Sequence, residues 1–285
     1  MSEATAPQQP CILEIEGLHK RYGKFTAVRQ IDLTVPYGQV FGLLGPNGAG
    51  KTTTLRMLTG LIQPTRGRIT IDGYSLHEAP TKAKSITGFI PDRPYVYDKL
   101  TAFEYMKFIA GLYAMNKREV AKRIRALLAQ FGLMEWGDSL IESFSHGMKQ
   151  RLVFAGALLP EPKLLIVDEP MVGLDPKGHR LIKDLFVELT RTHGMTILLS
   201  THTLEVAEEV CDQIAIVHHG RIIARGTMSE LRTEVGEDAA DLEEVFLRLT
   251  EEREEERAVL VAERFGRSSE AAFTRQAEDT DGGAL

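Results

Sequence analysis

The sequence predicts an α/β fold: a core with a parallel sheet, an antiparallel N-terminal β subdomain and an inserted helical subdomain. Three observations carry that prediction. Largely apolar runs at residues 40–44, 164–167 and 196–199 have the length of strands, and 164–167 is continuous enough to be buried on both faces. Helical patterns follow them at about 51–60, 176–192 and 203–211, and strand–helix alternation builds a parallel sheet. From 101 to about 159 the period is helical throughout, which makes that stretch an insert.

The remaining elements follow in order. Residues 12–15 and 31–35 alternate like half-buried strands, with turn signals at Tyr22-Gly23 and Tyr37-Gly38. Short strands are expected near 68–71 and 87–90. Thr101 and Glu104 have the spacing of a capping box, and Val120, Ile124, Leu127, Leu128 and Phe131 share one helical face. A hairpin of 213–217 and 221–224 turns at His219-Gly220, and residues 241–249 form an amphipathic helix through Leu242, Val245, Phe246 and Leu249. The expected organisation is a flexible N-terminus (1–11), a body (12–229, helical subdomain about 100–160), a docked helical segment (230–250) and an acidic, mobile tail (251–285).

Charge sharpens the last boundary. The chain has 34 basic and 40 acidic residues, a net charge of −6. From Glu230 onward there are 17 acidic and 7 basic residues, so the acidity belongs to the tail and the body is slightly basic. Nothing here draws the protein toward nucleic acid or anionic lipid. Cys11 and Cys211 read as buried or free thiols rather than a disulfide or metal pair. No signal peptide or membrane-spanning stretch is visible, which points to a cytoplasmic chain.

Chemistry enters at GPNGAGKTT: Gly45, Pro46, Asn47, Gly48, Ala49, Gly50, Lys51, Thr52 and Thr53. This satisfies the phosphate-loop pattern between a buried strand and a helix, the context of a P-loop NTPase core. Gly45, Gly48 and Gly50 permit backbone angles and close approaches that a Cβ forbids. Backbone N–H groups and the helix N-terminus then suit an anion, Lys51 reaches the β- and γ-phosphates of ATP, and the Thr52 hydroxyl suits Mg²⁺. Downstream, the 164–167 strand ends in Asp168 and Glu169, where α/β sheets bind ligands. Asp168 is expected to hold Mg²⁺, and Glu169 to polarise an attacking water; the bland alternative is a turn with a helix cap.

With these motifs in order, the sequence resembles the ATP-binding subunits of ABC transporters, export-type (ABC-2-like) branch, over about residues 12–249. The resemblance implies that Tyr22 stacks on adenine and that Phe144-Ser145-His146-Gly147-Met148, followed by Lys149-Gln150-Arg151, is the family signature. It implies that Asp175, in Gly173-Leu174-Asp175, signals across a dimer, and that His202 contacts the γ-phosphate. In that family two subunits bind head to tail, so Ser145, Gly147 and Gln150 are assigned to the nucleotide held by the other subunit. Two departures stand out. His146 and Met148 replace residues of the common LSGGQ form, and Asp92 occupies the place of a usual glutamine. Asp92 has three readings: a direct Mg²⁺ ligand, a water-mediated one, or a cap for the following segment. The other seven histidines, His218 and His219 included, read as surface residues.

The expected function is therefore an ATPase. It pairs with a second copy or a paralogous ATPase subunit, binds ATP and Mg²⁺, and drives a separate integral membrane permease, in the direction of export. No nucleic-acid partner is expected, and the chain is placed at the inner face of the cell membrane through the permease. The alternative is a soluble mechanical ABC ATPase acting on ribosomes or DNA.

Overall fold

The computed structural model describes residues 10–171, 176–235 and 242–250. The chain divides into two compact units, Met1–Leu231 and Arg232–Leu285. Within the first, β1 (Cys11–Tyr22) and β2 (Phe25–Pro36) form a long antiparallel pair. They run well beyond the expected 12–15 and 31–35, because bulges at several points reset which side chains face inward. The alternating pattern is broken there, so only its cleanest stretches were legible as strands.

β3 (Val40–Leu44) is buried along its whole length and leads into α1 (Lys51–Leu58). β4 (Arg66–Ile71) pairs with β1, and β5 (Tyr74–Ser75) with β4, both antiparallel. Helix α2 (Pro80–Ser85), with Pro80 at its start, precedes β6 (Thr87–Ile90); neither β5 nor α2 was expected. At two and six residues they are too short to carry a period.

The helical insert consists of α3 (Ala102–Leu112), α4 (Lys117–Gln130) and α5 (His146–Leu158). The Thr101–Glu104 capping box is complete, and all five apolar positions of α4's expected face are buried. Phe154 of α5 packs between Phe131 and Phe186, at 6.1 and 6.4 Å between ring centroids. Each such buried side chain contributes about 1.5–3 kcal/mol through its removal from water.

The core then alternates: β7 (Leu164–Asp168), α6 (Pro176–His193), β8 (Thr196–Thr201), α7 (Leu204–Val210), and the hairpin of β9 (Gln213–His218) and β10 (Arg221–Gly226). Among the described residues, all ten strands lie in one sheet, in the order β5-β4-β1-β2-β10-β9-β3-β8-β7-β6. Strands β9, β3, β8, β7 and β6 are parallel neighbours. The antiparallel subdomain is joined to them by one parallel pairing of Arg221 with Gln30. Because the central strands are covered on both faces, their side chains feed two cores. Leu165 and Val167 of β7 enter the helical-insert core, while Leu164 and Ile166 enter the β-subdomain core.

Helix α8 (Met228–Val235) opens with a reciprocal cap between Thr227 and Glu230. In the second unit residues 242–250 are helical, with Leu242, Val245 and Leu249 buried. Among the described residues no helix is long and apolar enough to cross a membrane. The expected flexible N-terminus up to residue 9, the tail 251–285, and the Gly173-Leu174-Asp175 loop lie outside the described residues. Both cysteines are free and half-buried. Burial, then the hydrogen bond to Glu14, pushes the Cys11 thiol up to about 11; burial likewise pushes Cys211 up. Neither thiol is poised to react.

Candidate active site

The site forms where β3, β7 and β8 end. The loop after β3 carries exposed Pro46, Asn47 and Gly48 at its tip, with Ala49 buried beneath. Each glycine is required for its own reason. Gly48 and Gly50 have φ of 83° and 106°, in the region that favours glycine. Gly45 is a matter of space: a Cβ there would lie 2.2 Å from the Val217 carbonyl oxygen. Gly50 caps α1, so helix N–H groups open directly beside Lys51 and Thr52. This glycine-lined turn at a helix start fits a phosphate chain.

Lys51 is buried, with its ammonium donating to the Gly45 carbonyl at 2.7 Å and the Pro46 carbonyl at 3.3 Å. Burial lowers its pKa, while Glu169 and Asp168 act against that shift. The Glu169 Oε1 atom stands 3.7 Å from the Lys51 Nζ and 2.9 Å from the His202 Nδ1. Glu169 itself has φ 51°, an uncommon conformation for a side-chain-bearing residue, and its N–H donates to the Ser200 carbonyl at 3.1 Å. The strained backbone at the strand end turns this carboxylate toward Lys51 and His202.

Asp168 is almost fully buried. Burial raises its pKa, the hydroxyls of Ser200 and Thr52 pull it back, and the negative fields of Asp92 and Glu169 add to the rise. The Thr52 hydroxyl lies 3.3 Å from Asp168 Oδ1, and Ser200 makes a very short bond to the same oxygen. A hydroxyl and one or two carboxylates are the hard oxygen donors that Mg²⁺ takes when the phosphates supply the rest. The donor set therefore fits an ATP-bound Mg²⁺. Asp92, half-buried in the turn after β6, adds its field to this group.

Thr53, in the first turn of α1, is half-buried. Tyr22 ends β1, opposite Phe25 across a tight turn, and both rings are exposed; the Lys20 ammonium lies 5.0 Å from the Tyr22 ring centroid. Ser145 and Gly147 sit at the start of α5, remote in sequence from the phosphate loop. Ser145 is exposed and caps the helix by accepting the Met148 N–H at 3.3 Å; a Cβ on Gly147 would meet nothing. Gln150 departs from its expected outward role: it is 1 % exposed, because position 150 falls on the inner face of α5. Its side chain packs inside the chain.

Comparison with known proteins decides the family. The model of the ABC transporter domain matches residues 28–172. The linearmycin resistance ATP-binding protein LnrL of Bacillus subtilis is 40% identical over 227 residues, covering 80% of this chain and 73% of that protein. The Nod factor export ATP-binding protein I of Ralstonia nicotianae is 38% identical, covering 81% of this chain and 72% of its own length. A solved ATP-binding subunit of an ABC transporter superposes with a TM-score of 0.79 at 37% identity, covering 84% of this chain and 99% of that one.

The chain belongs to the ABC transporter family. It is an ATP-binding subunit of that family, which hydrolyses ATP, and its fold is that of the P-loop NTPases. The reading as a mechanical ATPase of ribosomes or DNA is set aside, since the matched family and these relatives are transporter components.

One site residue of this ABC ATPase was not found from the sequence. Ser200 is buried on β8 and hydrogen-bonded to Asp168, and the signal for it was a hydroxyl directly after the apolar run Ile197-Leu198-Leu199. Two histidines also differ from expectation. His19 is half-buried with Nδ1 2.8 Å from the Arg29 carbonyl oxygen, and His218 is half-buried with its ring against His219 at 4.1 Å.

Proposed function

We propose that two copies of this chain, or one copy and a paralogous ATPase subunit, close head to tail around two ATP–Mg²⁺ and drive an integral membrane permease in the export direction. The observation that carries the catalytic half is the convergence of Lys51 and His202 on Glu169 Oε1, at 3.7 and 2.9 Å. Glu169 orients the attacking water, and the water oxygen bonds the γ-phosphorus as the bond to the bridging oxygen breaks. His202 steadies Glu169 and the γ-phosphate side, and Lys51 stabilises charge on the transferring group. Thr52 and Asp168, with Asp92 beside them, would hold the Mg²⁺, which when bound would neutralise charge on the triphosphate.

Ser145 and Gly147 support the dimeric part of the reading. They place a hydroxyl and a helix N-terminus on the surface, where the γ-phosphate of the opposite subunit is received. Asp175 is assigned to signalling across that interface, and Tyr22 to stacking on adenine. The permease is assigned to the side of the helical insert. There Leu61 and Tyr113, both exposed, rim a cavity of about 250 Å³ lined also by Phe89, Tyr105 and Ile109, and exposed Tyr97 packs edge-on to Phe108 of α3. The names of the resistance and export relatives support the outward direction.

The test is Glu169→Gln. ATP binding is retained, turnover falls by about 10²–10⁴-fold, and an ATP-dependent dimer accumulates in sedimentation. Near-normal turnover by this variant sinks the assignment. Co-purification of the chain from detergent-solubilised membranes identifies the permease.

A further inference from the structure

We infer that Ser200 is a positioning residue for the reaction: its hydroxyl fixes the Asp168 carboxylate so that Oδ2 remains for the Mg²⁺ that accompanies ATP. The inference rests on the reading of Thr52 and Asp168 as the Mg²⁺ side of the site.

The geometry is specific. Ser200 of β8 stands directly opposite Asp168 of β7 in the parallel ladder, and it is 0 % exposed. Its hydroxyl donates to Asp168 Oδ1, and its own carbonyl accepts the Glu169 N–H at 3.1 Å. One residue therefore touches both acidic positions, the first through its side chain and the second through its backbone. Thr52 reaches the same Oδ1 from the phosphate loop at 3.3 Å. Among the described residues, Oδ2 accepts no hydrogen bond. A carboxylate turns freely about its last bond unless something holds it; here two hydroxyls converge on one oxygen and leave the other.

Of the two donors, Ser200 is the one anchored in the sheet. Thr52 lies on the nucleotide loop and is itself assigned to the cation. Removal of the Ser200 hydroxyl leaves a buried carboxylate oxygen with one long hydrogen bond. Groups that orient a metal ligand in this way set metal affinity without touching the metal.

The test uses the full chain and a fluorescent ATP analogue, titrated with Mg²⁺ and, separately, in EDTA. In Ser200→Ala the Mg²⁺ concentration for half-maximal tightening rises about tenfold, with affinity in EDTA within about twofold of wild type. Ser200→Thr, which keeps the hydroxyl, titrates like wild type. Ser200→Cys, close to serine in size and a weaker donor, shifts in the same sense as alanine, and serves where the alanine variant melts early. A Ser200→Ala titration that coincides with wild type overturns the inference. So does an equal loss in EDTA and in Mg²⁺, or a threonine variant that behaves like alanine. A wild-type chain whose nucleotide affinity ignores Mg²⁺ overturns instead the reading of Thr52 and Asp168.

Discussion

The phosphate loop and the start of α5 are built in opposite ways. The loop at Gly45–Thr53 is closed by its own chain: Lys51 is 6 % exposed, bonded to two carbonyls, and flanked by Glu169 and Asp168. The start of α5 is more open: Ser145 is exposed, and among the described residues its hydroxyl serves its own helix cap. A buried charge needs partners within the fold, whereas an exposed helix N-terminus keeps its N–H groups available to something outside. The difference teaches that one anion-suited helix start is folded into the chain and the other is left at its surface; the proposed dimer uses them as the two halves of one site.

Several substitutions sharpen or break that comparison. Loss of turnover in Glu169→Gln is the largest effect, since it removes the carboxylate on which the closed half converges. Next comes Lys51→Ala. It weakens nucleotide affinity by about 10–100-fold, as expected for one charged hydrogen-bonding group, and a fluorescent-nucleotide titration reads it. Asp92→Ala raises the Mg²⁺ concentration needed for half-maximal ATPase activity by about tenfold; an unchanged titration makes Asp92 a cap for its own turn.

Ser145→Ala separates the two halves most directly. It costs about 1 kcal/mol of stability through the lost cap, leaves ATP binding by the monomer unchanged, and abolishes the ATP-dependent dimer in the Glu169→Gln background. Loss of monomer binding would show that the two halves are not separate. The smallest effect lies at the opposite end of β7. There Lys163 and Tyr37 both donate to Asp72, holding its carboxyl below the usual range, Lys163 foremost. Tyr37→Phe costs about 1 kcal/mol in denaturant melts and leaves nucleotide affinity alone. Because the Asp72 pKa is lowered, the stabilisation from this trio is present at neutral pH and fades as pH falls through the lowered value.

The parts legible in sequence share a property: a local rule and a tertiary demand agree there. β3, β7 and β8 read as strands because burial on both faces confines polar side chains to the strand ends. α4 read as a helix because one face alone is buried. β1 and β2 were legible only in part, since their bulges shift the alternation. Gln150 illustrates the opposite failure. Its motif placed it with Ser145 and Gly147, but the helix turns it inward one turn later, and motif membership says nothing about which way a side chain points.

By itself the sequence determined the order of the long strands and helices, the glycine-rich loop, the two carboxylates at the end of β7, and the split between a slightly basic body and an acidic tail. Those are local properties: period, glycine content and net charge need no partner to be read. Only the tertiary structure decided that Glu169 meets Lys51 and His202, that Ser200 and Thr52 share one oxygen of Asp168, and that Ser145 faces outward while Gln150 does not. These contacts join residues more than thirty positions apart, or turn on which face of a helix is covered. Parallel pairing sets them, because neighbouring strands arrive from distant stretches of chain and bring their ends to the same edge of the sheet.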